Sequence, residues 1–157
     1  MKFDYKVSKI LNDDKNILLN VIYNSISIMS SIIVCILIII KYDKTPKKIF
    51  FKTFIICLSV MMFFKKYMKR KRPYLRHKDI NNNDILPTNK YYSFPSSHVM
   101  SSVIISLIIT KQLKIKYFFP IFPFFVIISR IGLGVHYLTD CLFSILFTYI
   151  INFIFYL

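Results

Sequence analysis

The sequence predicts an all-α, polytopic transmembrane helical bundle of about five spans. The 157 residues are 55% hydrophobic and 17% aromatic, and their mean hydropathy of +0.53 is too apolar for a soluble domain of this size. The apolar residues are gathered into long runs separated by short basic turns, the pattern of helices crossing a hydrocarbon core about 30 Å thick. The formal charge of +15, from 22 Lys and Arg against 7 Asp and Glu, then reads as loops lying against anionic head groups and not as a nucleic-acid surface. Cys35, Cys57 and Cys141 all fall inside apolar runs with no paired spacing, as small buried hydrophobes do.

Residues 1–16 hold four lysines and three aspartates with few apolar side chains, a polar arm or a short interfacial helix. Residues 17–157 form a single domain. Ile17 to Ile40 is free of charge, enough for one span, with Asn20 and Asn24 on one face that either packs against protein or sits at the membrane interface. Lys41 to Lys48, with Pro46, is a basic turn. The second helix runs from Ile49 to about residue 70, because Lys65-Lys66-Tyr67-Met68-Lys69-Arg70-Lys71-Arg72 are good helix formers and Pro73 restricts the residue before it. Lys65 and Arg72, two turns apart, then project from one face.

Tyr74 to Tyr92, with Asn81-Asn82-Asn83-Asp84 and Pro87, is the longest loop. Ser93-Phe94-Pro95-Ser96-Ser97-His98 opens the third helix, whose N-terminal N–H groups form an anion site with His98 in the first turn. Lys111 to Lys116 is another turn. Tyr117 to Ser129, with Pro120 and Pro123, is the shortest span, and Leu138 to Leu157 is the last.

One stretch puts polar groups among apolar ones without an evident structural reason: Ser129-Arg130-Ile131-Gly132-Leu133-Gly134-Val135-His136-Tyr137-Leu138-Thr139-Asp140. Gly132 and Gly134 interrupt the helix, so Arg130 can fold back towards the imidazole. A helix starting near His136 brings Asp140, four residues on, to a ring nitrogen. Arginine beside histidine and an acid suits an anionic substrate, most naturally a phosphate.

With helices at about 17–40, 49–70, 96–113, 116–130 and 137–157, span parity places Lys65, Arg72, His98, Arg130, His136 and Asp140 on one membrane face. Hydropathy alone does not demand that agreement. His77, beside Arg76 and Lys78, has no acidic neighbour at helical spacing and reads as solvated. The eight Lys and Arg between Lys65 and Lys78 would also fit a non-catalytic membrane protein binding anionic lipid or nucleic acid. That alternative leaves His98, His136 and Asp140 without roles.

Taken together, Lys65 to Arg72-Pro73, Pro95-Ser96-Ser97-His98, and Ser129-Arg130 to His136 to Asp140 resemble the three-part motif of the type 2 phosphatidic acid phosphatases (PAP2), relatives of vanadium haloperoxidases. Order and internal spacing match over roughly residues 49–157. Ser97 stands where the family usually has glycine, and one N-terminal span of many membrane members is missing. The resemblance implies a lipid phosphate phosphatase. His136 would be the nucleophile, oriented by Asp140, and His98 the acid and then the base. Lys65, Arg72, Arg130, Ser96 and Ser97 would hold the phosphate. It implies no cofactor and no metal, and three cations around His98, His136 and Asp140 would oppose a dication. Polyprenyl diphosphate and phosphatidylglycerol phosphate lead the substrates implied, with phosphatidic acid and sphingoid phosphates behind.

Sidedness divides the two lines of reasoning. The motif face carries 14 Lys and Arg against 8 on the other, or 11 once Lys65, Arg72 and Arg130 are set aside, a slight cytoplasmic bias. The resemblance implies the plasma (inner) membrane with the site on its extracytoplasmic or lumenal side.

Overall fold

The computed structural model describes residues 2–12, 16–41, 47–86, 92–114 and 118–156. In chain order the elements are α1 (Lys2–Leu11), α2 (Ile17–Met29), α3 (Ile32–Lys41), α4 (Lys47–Met68), α5 (Pro73–Arg76), α6 (Ser97–Leu113), α7 (Phe118–Gly132) and α8 (Leu138–Tyr156). Among the described residues all regular structure is helical. The chain is an all-α transmembrane bundle, as expected. Pro46, Pro87 and Tyr117, and with them parts of two expected basic turns and of the long loop, lie outside the described residues.

Helix α6 is the axis of the bundle. Val99, Met100, Val103, Ile104 and Ile108 are buried along it, and so are Ser101, Ser102 and Ser106. A helix with no polar stripe belongs in the core, and its serines let neighbouring backbones approach closely. It packs against α3, α4, α7 and α8. The outer helices turn Ile33, Leu37, Met62, Phe63, Phe124, Leu146 and Phe153 outwards, an apolar girdle that hydrocarbon can cover. Cys35, Cys57 and Cys141 are free and buried.

Two expected helices are divided differently. The first span is α2 and α3, bent by 45°. At the break Ser30 Oγ donates to the Ser27 carbonyl at 3.0 Å, and Ser31 Oγ accepts from Val34 N at 3.4 Å. Serine hydroxyls satisfy the backbone groups that the break releases, which makes it tolerable at membrane depth. The second helix ends at Met68 and not near residue 70, because Lys69 takes a left-handed φ of 46°, a helix-ending conformation.

The expected five spans correspond to α2 with α3, then α4, α6, α7 and α8. Among the described residues, α8 and the bent α2–α3 pair are long and apolar enough to cross a membrane by themselves. Helices of 17 residues in α6 and 15 in α7 reach roughly 25 and 22 Å. The polar arm is helical: α1 lies against α7 and α8.

Candidate active site

Lys65, Arg72, Ser97, His98, Arg130 and His136 line one cavity of about 290 Å³, together with Ser31, Ile32, Ile33 and Leu86. Each arrives from the end of an element. Lys65 comes from the last turn of α4, Ser97 and His98 from the first turn of α6, and Arg130 from the last turn of α7. His136 lies in the turn between α7 and α8. The turn is tight because Gly134 adopts φ +74° and a Cβ there would sit 2.2 Å from the Asn81 carbonyl, while a Cβ on Gly132 would overlap the Tyr23 ring at 2.1 Å. These two glycines let α7 end, α2 cross it and the chain reverse in time to aim His136 inwards.

Arg72 does not share a helix face with Lys65, contrary to the sequence reading. It sits beyond α4 in extended backbone at the N-cap of α5, and its guanidinium reaches the cavity by donating Nη1 to the Val135 carbonyl at 2.9 Å. Lys65 Nζ donates to the Pro95 carbonyl at 2.7 Å, which fixes the ammonium beside the start of α6. Burial, and then the Arg130 charge, bring Arg72 down to about 10. It stays cationic at neutral pH, in a crowd of like charge that an anion would relieve.

Arg130 is fully buried. Nη2 pairs with Asp84 Oδ2 at 2.7 Å, Nη1 bonds to Ser27 Oγ, and Nε has no hydrogen-bond partner. Ser96 is the N-cap of α6; its N–H donates to Ser144 Oγ at 2.8 Å, leaving a buried hydroxyl without a partner. Buried donors left unmade are costly, and next to a cationic cavity they fit the oxygens of a bound anion. Ser97, at the family's usual glycine position, is the first helical residue and has no positive φ, so its side chain strains nothing. Its N–H is among those that a helix leaves without an internal acceptor.

His136 Nδ1 and Asp140 Oδ2 stand 3.7 Å apart, an ion-pair distance beyond hydrogen-bond length, and Nδ1 has no hydrogen-bond partner. His136 is not in the helix, which starts at Leu138. Asp140 is the third residue of α8 and accepts from the Tyr137 N–H at 2.9 Å, half of a capping box. A carboxylate less than 1 Å too far is the geometry that closes when substrate binds.

Burial, then Arg72, Arg130 and Lys65, hold the His136 imidazole well below 6.5. It is therefore neutral at physiological pH with a lone pair to offer. A proton removes that lone pair, so activity falls on acidification. Since the pKa is depressed, the acid limb of kcat/KM for the free enzyme should lie below pH 6.5. A limb at or above 6.5 with an activated aryl phosphate would mean that the cavity does not depress the imidazole.

Asp84, Ser27, Arg70 and Asp4 were not found by sequence reasoning; Asp84 and Ser27 hold Arg130, and Arg70 holds Asp140. Asn20 and Asn24 do face protein: Asn24 bonds the Asn83 carbonyl at 2.9 Å and the Ile85 N–H at 3.0 Å, tying the long loop to α2. His77 is not simply solvated. Its ring lies 4.3 Å from that of Tyr5, away from the cavity.

A family model described as the PAP2 superfamily matches residues 46–157. The chain belongs to the PAP2 superfamily. Among solved structures, Aquifex aeolicus LpxE superposes with a TM-score of 0.83 at 21% identity, covering 96% of this chain and 93% of that one. The first transmembrane PAP2-type phosphatidylglycerolphosphate phosphatase from Bacillus subtilis gives 0.78 at 22% identity, covering 99% and 83%. A search of curated proteins by sequence matches none. The fold is that of PAP2 membrane phosphatases, and the PAP2 match takes in α4 to α8 and every cavity residue except Ser31, Ile32 and Ile33.

Proposed function

We propose that this PAP2 protein hydrolyses a phosphomonoester or diphosphate of a membrane lipid through a phosphohistidine. The observation that carries the reading is the convergence of Lys65, Arg72, Arg130 and His98 with a neutral His136 on one cavity. His136 attacks phosphorus through Nε2, and the bond from phosphorus to the leaving oxygen breaks. His98, protonated once the phosphate dianion lies beside it, gives that oxygen its proton, then takes one from the water that displaces the histidine. Lys65, Arg72, Arg130, the Ser96 hydroxyl and the Ser97 N–H hold the equatorial oxygens as charge develops. Asp140 orients His136 and stabilises its positive charge.

Side chains supply the positive charge that phosphoryl transfer needs, so turnover should persist in excess EDTA. Release of inorganic phosphate from lipid phosphates by purified protein, with and without chelator, tests both claims. Loss in EDTA with recovery on one divalent ion would overturn the metal-free mechanism. Binding without phosphate release from any ester would favour the anionic-lipid module instead.

Polyprenyl diphosphate and phosphatidylglycerol phosphate are the first substrates to test, and the similarity to the Bacillus subtilis phosphatase supports including the second. We place the site on the extracytoplasmic or lumenal side of the plasma (inner) membrane. A cysteine at Asn82 should then react with an impermeant reagent in intact cells, and protection until lysis would reverse that assignment.

A further inference from the structure

The N-terminal arm reaches the catalytic carboxylate through two residues outside the three-part motif. Asp4, on α1, is 4% exposed. Its Oδ2 accepts from Arg70 Nη2 at 2.8 Å and from Thr139 Oγ1 at 2.8 Å, and its Oδ1 accepts from Thr139 N at 3.2 Å. Arg70 Nη1 donates to Asp140 Oδ1 at 2.5 Å and to Thr139 Oγ1 at 2.7 Å. The guanidinium lies over the Tyr137 ring, 4.2 Å from its centroid. Asp140 thus has one oxygen on Arg70, and its other oxygen on the Tyr137 N–H facing His136.

We propose that Asp4 and Arg70 are positioning residues for the nucleophile: Asp4 orients Arg70, Arg70 orients Asp140, and Asp140 orients His136. This rests on the reading of His136 as nucleophile. A buried carboxylate needs charged or hydrogen-bonding partners, and Asp140 finds its cation in Arg70, whose Nη1 is 2.5 Å from Oδ1. Arg70 follows the left-handed Lys69 in irregular backbone, so its own chain segment does not fix its rotamer. Asp4 does so by taking the second arm of the guanidinium fork, a bidentate use that lysine cannot reproduce. Asp4 also caps the start of α8 through Thr139, which fixes the helix turn that carries Asp140. Neither residue lines the phosphate cavity, so both act on the chemical step and not on substrate capture. The family match begins at residue 46, and Asp4 lies well before it.

The test uses the full chain, an activated aryl phosphate and a long-chain lipid phosphate in mixed micelles. Asp4→Ala and Arg70→Gln should lower kcat and the single-turnover rate of phosphoenzyme formation by about 10- to 100-fold, the scale of a misplaced catalytic group, with KM within twofold. Asp4→Asn, which keeps an acceptor oxygen, and Arg70→Lys, which keeps the charge, should recover part of the loss. Asp79→Ala is the control for docking of α1. It removes the 2.5 Å bond from Tyr5 and the 2.8 Å pair with Lys9 without touching Asp140, and should leave kcat within twofold.

In an Asp140→Asn background, Asp4→Ala should cost nothing further, because the path to His136 is already cut. An unchanged kcat in folded Asp4→Ala, equal losses in Asp4→Ala and Asp79→Ala, or a full additional loss in the Asp140→Asn background would overturn the proposal. Where Asp4→Ala fails to fold, the comparison of Arg70→Lys with Asp79→Ala decides by the same criteria. A wild-type chain that releases no phosphate from any ester overturns the functional reading instead.

Discussion

Replacing His136 with alanine should abolish the phosphoenzyme and lower turnover by about 10⁴-fold or more, because the proposed mechanism gives attack on phosphorus to His136 and leaves His98 the proton transfers. The loss should be as deep for an activated aryl phosphate as for a lipid phosphate, since both need the phosphorus–nitrogen bond to form. Replacing His98 should behave differently. A general acid contributes about 10² to 10⁴-fold where the leaving oxygen is basic, and much less where the oxygen leaves readily as an anion. His98→Ala should therefore impair alkyl and lipid phosphates far more than aryl phosphates, while still accumulating labelled protein. Rapid quench with radiolabelled substrate reads both quantities. A labelled His136→Ala protein would remove the phosphohistidine, and an equal loss on both substrates in His98→Ala would remove His98 as the acid.

The motif residues were legible because phosphoryl transfer asks for a few residue types near the ends of helices, and each sits within a few residues of a hydropathy boundary. The bundle was legible for a related reason, since lipid imposes long charge-free runs. Ser30 and Ser31 hid the bend in the first span, because two small residues in an apolar run read as tolerated polar groups, and only the hydrogen bonds they make reveal a break. Lys69 hid the end of α4. It is a good helix former in a left-handed conformation usually given to glycine, so propensity pointed the wrong way.

The partners of the site were hidden by distance along the chain. Arg130 finds Asp84 46 residues away, and Arg70 finds Asp4 66 residues away, separations with no period to detect. One signal was available. Against 22 Lys and Arg the chain has seven aspartates and no glutamate, and all four aspartates among the described residues pair with a cation: Asp4 and Asp140 with Arg70, Asp79 with Lys9, and Asp84 with Arg130. In a chain this basic, an acid in a segment near the motif was itself a reason to look for a buried partner.

The route by which substrate enters follows from what lines the cavity. The short, Pro-bearing α7 offers no gap between helices, because it packs against α2 and α6. The apolar lining comes instead from Ile32 and Ile33 at the start of α3, just past the bend, with Leu86 from the long loop. Ile33 is 70% exposed, so one apolar wall of the cationic cavity is continuous with the apolar girdle. A head group can then slide past the α2–α3 bend while its tails remain in the bilayer, with no transfer of the tail through water. A short-chain ester has no such store to draw on and must arrive from solution. Each methylene partitioned out of water is worth up to about 0.8 kcal/mol, so a long-chain phosphate should exceed a two-carbon phosphate of the same leaving group by about 10²-fold or more in kcat/KM per bulk concentration. Ile33→Lys, which sets a charge on that wall, should lower the ratio of long-chain to two-carbon kcat/KM. Equal kcat/KM for the two chain lengths in mixed micelles would rule out lateral entry and point to a water-soluble substrate.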